Sequence, residues 1–301
     1  MATQTKTKTK TKQEYEEWVD EDTELAEDFT DKLNKLFYRM LKNPSDKEMD
    51  NFQTVRDALI VAFLIDLMDR LKIQLKNSMQ TGIAVANQQL KRLKVDKIVK
   101  KTINDKKFKD MLDSVIKSNE VTLAYVLDGI KVNTDNIIKD IKSNVIDTKK
   151  VISAELASEF AKNGIAEYED RAGKKHSIED YIKQKVLDEI IKEMIRSYFM
   201  QARRYGIEYV RIVHLNIHPT CPLCAPFEGK ILALDENDKG VMTVQDAYMA
   251  GMWHPTCDHV PQRMQLETDL DEENIAIDLT EVNQKRKIYM EKNINKYRFR
   301  I

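Results

Sequence analysis

Beyond Gly206 the character of this 301-residue chain changes abruptly: five of its six prolines, four of its five histidines and all three cysteines lie there. Upstream, from Leu33 to about Phe199, apolar residues recur at three- and four-residue spacing, which puts them on one face of successive helices. The expected fold class is mostly α, a long-helix N-terminal region followed by a small α+β C-terminal domain of strands and turns.

The helical stripes can be followed residue by residue. Leu33, Leu36, Phe37, Met40 and Leu41 make the first, which Asn43-Pro44 should end because proline clashes with a preceding helical turn. Val55, Leu59, Phe63, Leu67 and Leu71 make the second. Met111, Leu112, Val115 and Ile116, then Ile137, Ile138, Ile141, Val145 and Ile146, suit one long helix, with Gly164 as a stop. Ser177-Ile-Glu-Asp180 has the spacing of an N-cap followed by an acid at the third helical position. A helix striped by Ile178, Tyr181, Ile182, Val186, Ile190, Met194 and Ile195 should follow and be closed by Gly206. These stripes are seams for a core or a partner helix and are assigned no chemistry.

Charge organises the ends. Residues 1–12 alternate four lysines with threonine, and Glu14 to Asp31 holds ten acids and no base. Segment 1–31 is expected to be a flexible charged tail. In all, 49 basic residues face 50 acidic ones for a net charge of -1, so any charged partner must be met by a local patch. One such patch spans positions 91–109, where Lys91, Arg92, Lys94, Lys97, Lys100, Lys101, Lys106, Lys107 and Lys109 stand against Asp96 and Asp105. It is either a solvated helix face or a surface for nonspecific DNA phosphate contact. The longest apolar run, Ala58 to Ile65, has eight residues, short of the roughly 20 of a membrane-spanning helix. No membrane partner is expected. With no secretory signal at the N-terminus, the chain is expected to be made and kept in a cytoplasm.

The C-terminal part begins with alternation: Ile207, Tyr209, Arg211, Val213 and Leu215 against Glu208, Val210, Ile212, His214 and Asn216, the period of a strand. Lys230-Ile-Leu-Ala-Leu234 is a second strand, followed by a turn at Asn237–Gly240. After Pro261 an acidic linker leads to a basic end. The resulting domain expectation is 1–31 tail, 32–205 helical assembly domain, 206–264 Cys/His domain and 265–301 extension.

Cys221-Pro-Leu-Cys224 and His254-Pro-Thr-Cys257-Asp-His259 are the chemical clue. A CxxC turn lets two thiolates point at one ion, and a second turn brought beside it completes a tetrahedron, with zinc the metal expected in a reducing cytoplasm. Cys221, Cys224 and Cys257 are three expected ligands, and His254 and His259 compete for the fourth place. The other readings are a redox CxxC, for which the βαβ setting is missing, and buried thiols in turn packing. A catalytic zinc would need a nearby base, and Asp258 and Glu228 have no distinguishing motif. The chain also lacks a phosphate loop, a nucleophile elbow and a metalloprotease motif.

Arg203-Arg-Tyr-Gly206, the strand after it, His218-Pro-Thr-Cys-Pro-Leu-Cys-Ala-Pro-Phe-Glu-Gly-Lys230 and His254-Pro-Thr-Cys-Asp-His259 together resemble the C-terminal domain of tailed-phage minor head proteins. This is the head-morphogenesis family typified by the F protein of phage Mu. The resemblance covers roughly 200–262 and departs at His218, where an acid is common, and at His259, where a cysteine is more frequent. The spacer Ile231–Trp253 reads as an insertion. What the resemblance implies is a structural, non-enzymatic, low-copy minor capsid protein of the virion. It would act near the portal vertex, oligomeric in the assembly, with portal, scaffold and capsid proteins as partners and packaged DNA as a further contact. The rival readings are a zinc-containing nuclease that works with His254 or His259, and a host zinc-ribbon interaction module.

Overall fold

The computed structural model describes residues 2–93, 106–143, 167–169, 175–214, 223–236, 239–253 and 259–265, and single positions between 270 and 287. For 2–16, 167–169, 175, 184, 214, 259–263 and 265 only the backbone is described. Of the described residues 79% are helical, so the mostly-α expectation holds. The elements are α1 (Ala2–Lys42), α2 (Asp46–Arg92), α3 (Lys106–Lys142), β1 (Glu167–Glu169), β2 (Lys175–Ser177), α4 (Ile178–Arg204), β3 (Tyr209–His214), β4 (Ile231–Ala233), α5 (Val244–Met249) and β5 (His259–Gln265). Among the described residues no helix is long and apolar enough to cross a membrane. The chain divides into two compact units, residues 1–73 with 113–186 and residues 74–112 with 187–301.

In the first unit α1 stops at Lys42, before Asn43-Pro44, as the proline requires. Residues 17–31, expected in the flexible tail, instead belong to α1. Val19, Asp22, Ala26, Phe29 and Leu33 are buried at alternating three- and four-residue spacing, and the other acids from Glu17 to Asp31 lie exposed between them. The acidic run is therefore the solvated face of an amphipathic helix. Phe29 stacks on Phe63 with ring centres 4.5 Å apart, and Phe37 meets Phe52 edge-on at 5.5 Å.

The seam of α2 is rotated from the expected one. Val55 and Leu59 are only half-buried, while Phe52, Arg56, Ile60, Phe63, Leu67 and Leu71 are buried. Arg56 takes the place of an apolar residue because α3 satisfies its guanidinium. Nη1 donates to Thr134 Oγ1 at 2.6 Å and to Asp135 Oδ1 at 2.6 Å, and the group also pairs with Asp57 at 2.8 Å. Burial raises the affinity of Asp135 for a proton, but the hydrogen bonds from Gln53 and Arg56 and the positive charges of Arg56 and Lys131 outweigh it and hold the carboxyl below its usual range. The pairs Asp46–Lys142, Gln53–Asp135, Arg56–Thr134 and Asp57–Lys131 run in opposite order along the two helices, so α2 and α3 are antiparallel here. Val145, Ile146 and Gly164 lie outside the described residues. β1 and β2 form an antiparallel pair, and the Asp180 N–H donates to Ser177 Oγ at 3.1 Å, the cap expected for α4.

In the second unit three antiparallel strands are ordered β4-β3-β5. Gly206, with φ +71°, closes α4: its N–H donates to Arg203 O and that of Ile207 to Ala202 O, the paired bonds of a left-handed glycine cap. The helix stop is where the sequence puts it, but Gly206 does not separate two cores. Ile195, Tyr198, Phe199 and Ala202 of α4 share one apolar cluster with Val210, Ile212, Leu232 and Met264 of the strands. β5 is a further departure, since no strand was expected at the end of the Cys/His domain around Pro261. The register jumps between Arg211↔Arg263 and Ile212↔Pro261, a bulge that lets a residue without an N–H sit in an edge strand. Gln89 of α2 ties the layers: its Oε1 accepts from Tyr198 Oη at 2.7 Å and from the Met264 N–H at 2.8 Å. α5 falls in the spacer read as an insertion and is started by a capping box between Thr243 and Asp246, a Thr-x-x-Asp signal visible in the sequence.

Glu193 of α4 is only 4% exposed. Burial lifts its carboxyl to about 7, with Arg196 acting the other way from 3.5 Å. A carboxyl raised above its ordinary value stabilises the fold fully at pH values below that ordinary value, and this contribution is lost as pH rises through 7. Glu193→Gln should therefore be about 3 kcal/mol more stable than wild type at pH 8 and equal to it at pH 4. Thermal unfolding of both proteins across that range checks this, and parallel curves would refute it.

Candidate metal centre

The five Cys/His positions are served by the two outer pairings of β3. On one side the chain leaves β3 at His214 and returns at Gly229, whose N–H donates to Ile212 O at 2.9 Å while Ile212 N–H donates to Lys230 O at 2.9 Å. Gly229 has φ +77°, a conformation open to glycine, and its carbonyl accepts from Arg211 Nη1 at 2.9 Å. Within this return lies Cys224, the N-cap of a short 3₁₀ turn over Ala225–Phe227, fully buried beside Leu223 and Phe227 in the cluster shared with α4.

On the other side Met252 and Trp253 belong to the same cluster, and Trp253 meets Phe199 edge-on at 5.8 Å. Trp253 holds φ +55°, a strained backbone for a bulky residue, fixed by that packing. His254 is the next residue in the chain. β5 then begins at His259, which pairs with His214 in the register of β3 and β5.

Cys221, His254 and Cys257 lie outside the described residues, as does His218, and of His259 only the backbone is described. Each is nevertheless leashed to a described anchor. Cys221 is three residues from Cys224, His254 follows Trp253, and Cys257 is two residues before His259. At most about 11 Å of extended chain separates any of them from its anchor. Among the described residues no group of three or more His, Cys, Asp or Glu is close enough to hold a metal ion. The donor set itself fits zinc: three thiolates and two imidazoles on segments tied to one core and one strand pair. His214 is the position that sequence reasoning passed over, since only the strand register sets it opposite His259.

The helical body and the Cys/His-bearing sheet occur in a chain whose family assigns it to the structural proteins of a bacteriophage head. It belongs to the family described as phage minor capsid protein 2, which it matches over residues 20–298. The match takes in the helices as well as the strands, far beyond the 200–262 stretch that carries the motif resemblance. No curated protein and no solved structure matches the chain.

Proposed function

We propose that this protein is a low-copy, non-enzymatic component of the phage head that bridges portal and scaffold or capsid proteins near the portal vertex during procapsid assembly. The observation that carries the reading is the family match across almost the whole chain, helices included. Long helices with charged outer faces suit lateral attachment to larger assemblies, and a sheet packed on α4 suits a fixed docking head.

Cys221, Cys224 and Cys257, with His254 or His259, hold a structural zinc in this reading. The ion would tie the loop after β3 to the segment entering β5, closing the end of the sheet that begins at His214 and His259. What supports it is the donor chemistry and the shared anchoring of both segments. Exposed Lys91, Arg92, Lys106, Lys107 and Lys109 support nonspecific contact with packaged DNA at the end of α2 and the start of α3.

Quantitative mass spectrometry of procapsids and mature virions of the parent phage tests the role. The expected result is this protein at a small fraction of the major capsid protein in procapsids, with loss of DNA-filled heads when its gene is deleted. Absence from both particles, or a copy number matching the capsid lattice, would overturn the proposal.

A further inference from the structure

The apolar run Ala58–Ile65 is apolar on every side of α2, the pattern of a helix covered all round. One side is covered: Ile60 and Phe63 are buried in the first unit. The opposite side is bare, with Val61 53% and Ile65 55% exposed and Ala58 and Ala62 exposed beside them. Two small residues alternating with two branched ones leave room for close approach of another helix.

The charges on the same stripe select the occupant. Asp50 lies eleven residues before Val61 and Lys72 eleven after it, three helical turns each way, so all three share a face. Both charged residues are exposed. Lys72 pairs with Asp69 at 3.0 Å, where the two side chains are 47% and 67% exposed, a pairing readily exchanged. A second copy laid antiparallel across Val61 sets each Asp50 against the Lys72 of the other chain. A parallel copy would oppose like charges at both ends. We propose that α2 is a self-association surface, a two-fold antiparallel contact between two copies of this chain centred on Val61, with Ala58, Ala62 and Ile65 as its apolar core and Asp50–Lys72 pairs at its rims.

This inference goes beyond the head role and does not depend on it. Sedimentation velocity on the full-length protein over a micromolar concentration series reads it directly, with far-UV circular dichroism as the check on folding. The wild type is expected to show a monomer–dimer equilibrium, and Val61→Asp to be monomeric with unchanged helicity. Asp50→Lys should weaken dimerisation about tenfold or more by opposing like charges, and the double variant Asp50→Lys/Lys72→Asp should recover it. A monomeric wild type, whether the face is covered by a segment of its own chain or by another head protein, overturns the proposal. So does a dimer indifferent to Val61→Asp, or a double variant as weak as Asp50→Lys.

Discussion

Stripping zinc from the purified protein is expected to release about one ion per chain and to unfold the sheet while most of the helical signal persists. Closed zinc sites contribute on the order of 10 kcal/mol to the folding of small zinc domains. Here the share of a bound ion would be smaller, because β3, β4 and β5 also pack on Tyr198, Phe199 and Ala202, and a loss of several kcal/mol is the expectation. Trp253 reports it. In a Trp18→Phe background the emission of Trp253, 6% exposed and next to His254, should shift to the red when the chelator is added. Cys224 needs care, because a hydroxyl placed at its buried position costs about 1–3 kcal/mol with or without a metal. Cys257→Ser is the cleaner variant, and on that background the chelator should have no further effect. Metal-free protein with an emission spectrum indifferent to chelator would leave the Cys/His cluster as turn packing alone.

Such a staple would matter because of how the sheet is built. Its central strand buries Val210 and Ile212 on one cluster and Tyr209 on another, so the strands are held well in the middle. At the end marked by His214 and His259 the chain runs on from one strand and into the other. The outgoing segment returns only at Gly229, and the incoming one comes from Trp253 in a strained backbone. A crosslink between them would fix the register that the bulge at Pro261 leaves locally irregular.

Much of this architecture is written in local signals. Pro44, Ser177 and Gly206 mark helix ends because each acts on backbone within a turn of itself, and all three act where expected. What was not legible depends on partners distant in sequence. Arg56 looks like a break in a stripe until Thr134 and Asp135 of α3 are beside it. The acids from Glu17 to Asp31 look like a tail because their number hides the Val19, Ala26 and Phe29 spacing beneath them. β5 was missed since a proline argues against a strand, and only the bulge against Arg211 and Ile212 makes room for it. At the Cys/His positions the candidate donors could be read from spacing. That His214 faces His259 could not, because register is a property of two strands together.

Gly82 is the position where a single methyl group should do most damage to the second unit. In isolation Gly82→Ala would help α2 by about 1 kcal/mol, since glycine is the poorer helix former. The packing says otherwise. A Cβ at Gly82 would stand 2.1 Å from Met194 O and 2.2 Å from Ser197 Oγ, and the first of these is helix backbone that cannot swing aside. The approach is continued one turn earlier by Ser78, whose Oγ donates to Ile190 O, so α2 and α4 lie in contact over at least this turn. Making room means parting the helices, which would also strain the Gln89 bonds to Tyr198 and Met264 farther along the same face of α2. Overpacking of this kind costs typically about 1–3 kcal/mol, and a backbone clash belongs at the upper end, so a net loss of about 2 kcal/mol is expected even after the gain in helix propensity. Urea unfolding followed by the fluorescence of Trp253 measures it. The midpoint should fall markedly in Gly82→Ala and further in Gly82→Val, and a midpoint that rises with Gly82→Ala would mean that α2 and α4 do not touch at this glycine.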